Sequence, residues 1–168
     1  MSSQSKNLLP PTLALVRIGT GLMFILFGQY KIFGAGFVPV GFANSIARFI
    51  NENQAVSFYQ VFLANVVLPH PKFFALLVGW GELLIGIALL AGVWVRVASV
   101  GGALFMLNLT LATWHAPGPT APLWRYAAAQ LEHIPLLFLF VIFIAARTQE
   151  IWTLKAAWRR WRASRPQC

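Results

Sequence analysis

The stretch Gly79-Trp80-Gly81-Glu82-Leu83-Leu84-Ile85-Gly86-Ile87-Ala88-Leu89-Leu90-Ala91-Gly92-Val93-Trp94-Val95-Arg96 decides how this chain folds. It is apolar or glycine except for Glu82 near its start and Arg96 at its end. Extended back to Phe73, it reaches the ~20 apolar residues a helix needs to cross a bilayer. A carboxylate inside such a run costs roughly 2.5–3.5 kcal/mol on insertion scales. Glu82 therefore calls for a partner, a water-filled cavity or a proton.

The composition places the rest of the chain in the same class. Of 168 residues, 58% are hydrophobic and 10% charged, against about 25% charged in a soluble domain. There is no Asp, and the acids are Glu52, Glu82, Glu132 and Glu150. The net charge of +9 comes from residues at the ends of apolar runs and in the C-terminal stretch. That is a membrane-orientation pattern, and no basic soluble face for nucleic acid is evident. The one cysteine, Cys168, excludes intramolecular disulfides, CxxC redox pairs and Cys-rich metal sites.

Four apolar runs predict an all-α integral membrane protein, a four-transmembrane-helix bundle in a single membrane domain spanning 1–168. The spans are expected at 12–33, 73–95, 97–114 and 124–146, the last open to a kink at Pro135, which removes one backbone hydrogen bond beside Glu132 and His133. Pro10 and Pro11 close a short polar arm. The first run is long, holds Arg17 inside it and is followed by no Ala-x-Ala site, so it reads as a retained span and not a cleaved signal peptide. In the loop 34–72, Phe42, Ile46, Phe49 and Ile50, and then Phe58, Tyr59, Phe62 and Val66, recur at helical spacing. They predict two short helices lying at the interface or folding over the bundle as a cap. In the tail 147–168, Ile151, Leu154, Trp158 and Trp161 share a face flanked by Lys155, Arg159, Arg160 and Arg162. This is a basic amphipathic helix suited to an anionic membrane surface. Positive residues are in excess on the side of the termini, so both termini are expected in the cytoplasm, with loop 34–72 extracytoplasmic, in a bacterial inner membrane.

At ~1.5 Å per residue, Glu82 lies roughly 14 Å below the outer surface, Glu132 and His133 roughly 12–14 Å, and Asn108 roughly 9 Å. Lys31 lies near the outer end of its span, with a stem long enough to reach inward. These groups are expected to line one outward-opening polar pocket. Glu82, Glu132 and His133 are the catalytic candidates for proton exchange, with Lys31 and Asn108 orienting a bound cofactor. Such a set can carry protons or hydrogen-bond the carbonyl oxygens of a quinone. The bland alternative is a Glu–Lys or Glu–His pair that only fixes helix register. Arg17 falls on the inner side, to cap lipid phosphates or pair near the inner surface. Haem ligation by His115 and His133 is disfavoured, because His115 sits in a Pro-rich loop. No metal-spaced carboxylate cluster is present.

Three stretches resemble the DoxX-like family of small four-helix membrane proteins and the related DoxD-type subunit of thiosulfate:quinone oxidoreductase. They are Arg17-x-x-x-Gly21-x-x-Phe24-x-x-x-Gly28-x-x-Lys31, then Gly81 to Gly86 continuing through Leu89, Gly92, Arg96 and Ala98, and finally Glu132-His133-Ile134. The resemblance implies a membrane bundle tied to respiratory or oxidative-stress chemistry, in which the DoxD-type enzyme passes electrons from thiosulfate to quinone with the help of a second subunit. No region here resembles that second subunit, and the Pro39–His70 insertion and the Trp-rich tail have no counterpart in the resemblance. The expectation is thus a quinone-associated subunit of a membrane redox system, working in the lipid bilayer with a separate redox partner subunit and no nucleic acid. The alternatives are a non-catalytic membrane scaffold and a small transporter or proton pathway, the last needing a homo-oligomer to provide alternating access.

Overall fold

The computed structural model describes residues 9–118, 120–146 and 153. The basic amphipathic helix expected in the tail, like the arm before Leu9, lies outside them apart from Thr153. Helices run from Leu9–Phe33 (α1), Phe42–Asn51 (α2), Ser57–Phe62 (α3), Pro71–Ala91 (α4), Val95–Thr113 (α5), Leu123–Ala129 (α6) and Ile134–Ala145 (α7). Single π-helical turns at Phe37–Gly41 and Leu63–Val67 precede α2 and follow α3, and no strand occurs among the described residues.

Three helices are long and apolar enough to cross a membrane: α1, α4 and α5. Pro10 and Pro11 fall in the first turn of α1 instead of closing an arm before it. The first-turn N–H groups of a helix have no intrahelical acceptor, so proline is tolerated there. The fourth span is broken. α6 and α7 meet at 57° across Gln130–His133, beside Pro135, where a kink in the span 124–146 was expected. Pro135 explains the break: it has no N–H to bond the carbonyl of Leu131, and its ring crowds that carbonyl. The chain instead turns tightly, with the N–H of His133 bonding the carbonyl of Gln130 at 3.0 Å.

α1 and α4 form one antiparallel pair and α5 and α7 another, and α4 joins the two through α5. A Cβ on Gly86 would lie 2.7 Å from the carbonyl oxygen of Gly21 and the amide of Ile25, and a Cβ on Gly28 would lie 2.6 Å from the amide of Leu83. Backbone therefore meets backbone along the α1–α4 seam, which is the packing small residues permit in lipid. Between the pairs, Phe24, Leu89, Met106, Phe140 and Phe143 fill the core. Phe24 meets Phe140 edge-to-face at 5.3 Å, and Gly102 leaves the space that the Phe140 ring occupies. Phe27, Trp80, Leu84, Val97, Leu104 and Phe138 point outward. In a bundle sized to the bilayer, that apolar exterior is the lipid-facing belt.

The turn from α4 to α5 is short because Gly92 takes a left-handed φ of 67°. The N–H of Val93 returns to the carbonyl of Ala88 at 3.1 Å and that of Gly92 to Leu89 at 3.2 Å. This closes the free carbonyls of α4 in a Schellman cap. The turn marks one end of the bundle, called the tail end below.

At the opposite end, α2 and α3 fold over the bundle as a cap. Phe42, Ile46, Leu63 and Val67 are buried with Ala75 of α4. The amide of Val56 bonds the carbonyl of Leu111 at 3.0 Å, and that of His115 bonds Gln54 at 2.7 Å. The inward face of the second cap piece is thus Leu63 and Val67. Phe58, Phe62 and Val66, whose spacing pointed to this helix, are exposed. Both faces of this segment are apolar, so periodicity alone does not choose between core and lipid-facing sides.

Candidate functional site

Lys31 lies near the cap end of α1 and Glu82 in the middle of α4, and their side chains meet. Lys31 Nζ donates to Glu82 Oε1 at 2.5 Å. Helical side chains lean towards the N-terminus of their own helix. α1 starts at the tail end, so Lys31 leans down into the bundle; α4 starts at the cap end, so Glu82 leans up. The antiparallel pairing thus turns two residues at different heights into partners, and Lys31 does not snorkel outward. Its Nζ lies 5.4 Å from the centre of the Phe37 ring and 5.3 Å from that of Phe105. Each such cation–ring contact contributes about 0.5–2 kcal/mol. Phe37 comes from the π-helical turn after α1, and Phe105 from α5, so three spanning helices and the cap build the site.

Glu82 is buried, at 4% exposure. Its Oε1 accepts from Lys31, whereas Oε2 is buried with no hydrogen-bond partner among the described residues. The Lys31 ammonium has three donors, of which Glu82 takes one. The Lys31 side chain keeps 20% of its surface accessible. The site thus pairs an approachable donor with an unsatisfied buried acceptor.

Asn108 belongs to a different contact. Its Oδ1 accepts from the Tyr59 hydroxyl at 2.5 Å, and its Nδ2 donates to the carbonyl of Leu104 at 2.7 Å. This bond ties the cap helix α3 to α5 one turn above Phe105. Burial raises the Tyr59 phenol above its ordinary value of 10.0. The stabilisation from the protonated phenol is complete below pH ~10 and is lost as the pH rises through the raised value. Tyr59→Phe is expected to cost about 0.5–1.5 kcal/mol near neutral pH, with the difference from wild type shrinking in alkaline unfolding titrations.

Glu132 and His133 lie at the break between α6 and α7. Glu132 is exposed and His133 half-buried. Among the described residues, no hydrogen bond or ion pair joins either of them to Glu82. Gln130, beside them, is almost fully buried; its Nε2 donates to the Thr113 carbonyl at 3.1 Å, and its Oε1 lies 3.2 Å from His133 Nδ1. Thr113 ends α5, so the break sits at that level, shallower than the depth counted from Trp124. From Phe105 to Thr113 is roughly 12 Å along α5. The groups expected in one pocket are therefore distributed over three contacts: Lys31–Glu82, Asn108–Tyr59 and His133–Gln130.

Phe37, Phe105, Tyr59 and Gln130 take part in these contacts without having been singled out for them from sequence. Gln130 carried the clearest signal, as an uncharged polar residue within an apolar run. At the tail end, Arg17 is fully buried. A Cβ on Gly92 would collide with its Nη1 and lie 2.6 Å from Thr153 Cγ2. Arg17 is thus enclosed by protein, which corrects the lipid-phosphate reading. No group of three or more His, Cys, Asp or Glu side chains suited to a metal occurs among the described residues.

No curated protein and no solved structure matches the chain. The DoxX family profile matches residues 12–116, a segment that includes Lys31, Glu82 and Asn108 and stops short of the broken fourth span. With well over half its length matched, this multi-pass membrane protein belongs to the DoxX family.

Proposed function

We propose that the protein is the quinone-associated subunit of a membrane redox system, with the quinone head held at Lys31 and Glu82. The observation that carries this reading is the unsatisfied Glu82 Oε2 beside a lysine with donors to spare. A buried acceptor without a partner costs about 1–3 kcal/mol or more when charged, and a structural ion pair needs no such atom.

The residues present fit a quinone head. Lys31 Nζ would donate to a carbonyl oxygen, Phe37 and Phe105 would give the ring apolar walls, and Glu82 would hold the proton exchanged there. When bound, the quinone supplies two-electron, two-proton carrier chemistry. The electrons would come from a separate donor subunit, since the chain has no thiol pair of its own. Lys31 positions the head, and Glu82 Oε2 is the atom through which a proton passes. The excess of positive residues on the side of the termini favours an extracytoplasmic cap in a bacterial inner membrane.

The test is the quinone content of protein purified in mild detergent, together with quinone-dependent electron transfer in native membranes. Stoichiometric quinone that is lost in Glu82→Gln at normal membrane insertion is the expected result. Absence of both quinone and quinone-linked activity from the wild type would overturn the proposal in favour of a structural ion pair in an assembly scaffold.

A further inference from the structure

Helix α5 has 19 residues, or roughly 28 Å at ~1.5 Å per residue. The hydrocarbon core of a bilayer is about 30 Å thick. α5 therefore has no length to spare outside the hydrocarbon. α4, with 21 residues and roughly 31 Å, has almost none. Whatever packs beside these helices below their cap ends is at membrane depth. The chain from Gln54 onward does so. The amide of His115, just past α5, bonds the carbonyl of Gln54 at 2.7 Å, and the amide of Val56 bonds the carbonyl of Leu111 at 3.0 Å. The Tyr59 hydroxyl then donates to Asn108 at 2.5 Å, roughly 7–8 Å below the end of α5. Three successive contacts thus fall progressively deeper along α5. On α4, Leu63 and Val67 share a buried cluster with Ala75, against which Phe74 and Val78 pack. Ala75 lies roughly 6 Å inside the start of α4.

α3 and the π-helical turn after it form one apolar helix, Ser57–Val67, without a charged residue. At roughly 17 Å it is too short to cross the bilayer. Tyr59, Leu63 and Val67 recur at i, i+4 and i+8, the spacing of one helix face. Leu63 and Val67 are buried there, and Tyr59 is bonded to α5. The rings of Phe58 and Phe62 flank that of Tyr59, with centroids 6.3 and 5.5 Å away, yet both are exposed, as are Val61 and Val66. Asn65 is the one polar side chain among these outward residues. Below the Tyr59 contact, α5 presents exposed Leu104 and Leu107, so the apolar surface of the short helix continues the lipid-facing belt.

We infer that the helix Ser57–Val67 is an interfacial anchor sunk among the acyl chains of the leaflet at the cap end, with Phe58, Phe62 and Val66 as its lipid contacts. Interfacial helices bury their apolar face about 5–10 Å into the headgroup–acyl boundary, the depth at which Tyr59 meets α5. Backbone entering that depth has no water to bond, and here protein groups take its place. The Val56 amide is bonded to Leu111, and Gln60 Nε2 donates to the Ala55 carbonyl at 2.9 Å. The charged and polar link before it, with Glu52 and Asn53 exposed, stays on the aqueous side. The cap thus has two parts: α2 with its polar link above, and an immersed helix alongside α5. This placement does not depend on the quinone reading.

The test is spin-label accessibility of the full chain in phosphatidylethanolamine–phosphatidylglycerol nanodiscs. The native thiol is removed as Cys168→Ser, and single labels are placed through Phe58→Cys, Phe62→Cys or Val66→Cys, all at exposed positions. Leu104→Cys gives the lipid reference and Glu52→Cys the aqueous one. The three anchor positions should follow Leu104, with frequent collisions with oxygen and few with a water-soluble nickel chelate, the reverse of Glu52. Frequent nickel collisions at all three would overturn the proposal in favour of a lid lying in water. Exclusion of both reagents would overturn it in favour of a protein surface, from a second copy or a partner, covering this face. A second measurement uses the unsubstituted chain, photolabelled by a diazirine carried on a phospholipid acyl chain. Adducts should appear on the Ser57–Val67 segment as they do on α5, and their absence from that segment alone would contradict the anchor.

Discussion

Lys31→Met, with Glu82 left in place, is expected to lower bundle stability by about 3–5 kcal/mol, the cost of breaking a buried ion pair by removing one partner. The penalty falls on Glu82, which is 4% exposed and would then have neither oxygen satisfied within the protein. The double substitution Lys31→Met with Glu82→Leu is expected to behave differently. Replacing both partners of a buried pair by apolar groups is often neutral, or stabilising by about 1–4 kcal/mol. Denaturant unfolding in micelles separates the two cases. Equal losses in the single and double variants would mean that the stability resides in packing by the Lys31 stem and not in the charge.

The second large effect is expected at Gly86. A Cβ there would sit 2.7 Å from both the Gly21 carbonyl oxygen and the Ile25 amide nitrogen, and 2.8 Å from Ile25 Cγ1. Two of these atoms are backbone, so no rotamer change relieves the contact and α1 must move away from α4. Overpacking of side chains costs about 1–3 kcal/mol, occasionally more, and a clash with backbone belongs at or above the top of that range. Gly86→Leu should therefore cost about 3 kcal/mol or more. It should also weaken the Lys31–Glu82 contact one turn away. Gly81 is the internal control, because a Cβ there meets nothing within 4 Å. Gly81→Ala should be neutral, or gain roughly 0.5–1 kcal/mol from helix propensity. A similar response at Gly81 and Gly86 in the same unfolding measurement would contradict the close α1–α4 seam.

The spans were legible because bilayer thickness leaves a coarse signature, a run of ~20 apolar residues, that survives errors of a few residues at each end. The fourth span shows where that signature fails. It passes as one span by length and composition despite Gln130, Glu132 and His133, but the backbone bends by 57° there, and Pro135 marked the place without fixing the size of the bend. The Lys31–Glu82 pair was half legible. Depth counting put both residues in the same half of the bilayer, and the lean of side chains on antiparallel helices supplies the contact that counting cannot. Asn108 and His133 were placed by the same count, yet rotation about the helix axis and the oblique α6 give them other partners. In the cap, one element has apolar residues on both faces, so the inward side was decided by tertiary packing of Leu63 and Val67.

One comparison separates a working quinone site from a pair that only sets helix register. It is a quinone titration of the Lys31→Met, Glu82→Leu double variant against wild type, both in nanodiscs and both verified as folded by their unfolding midpoints. The expected result is a bundle at least as stable as wild type whose quinone affinity has fallen tenfold or more, a loss of about 1.4 kcal/mol or more in binding. A double variant that binds quinone within twofold of wild type would contradict the account.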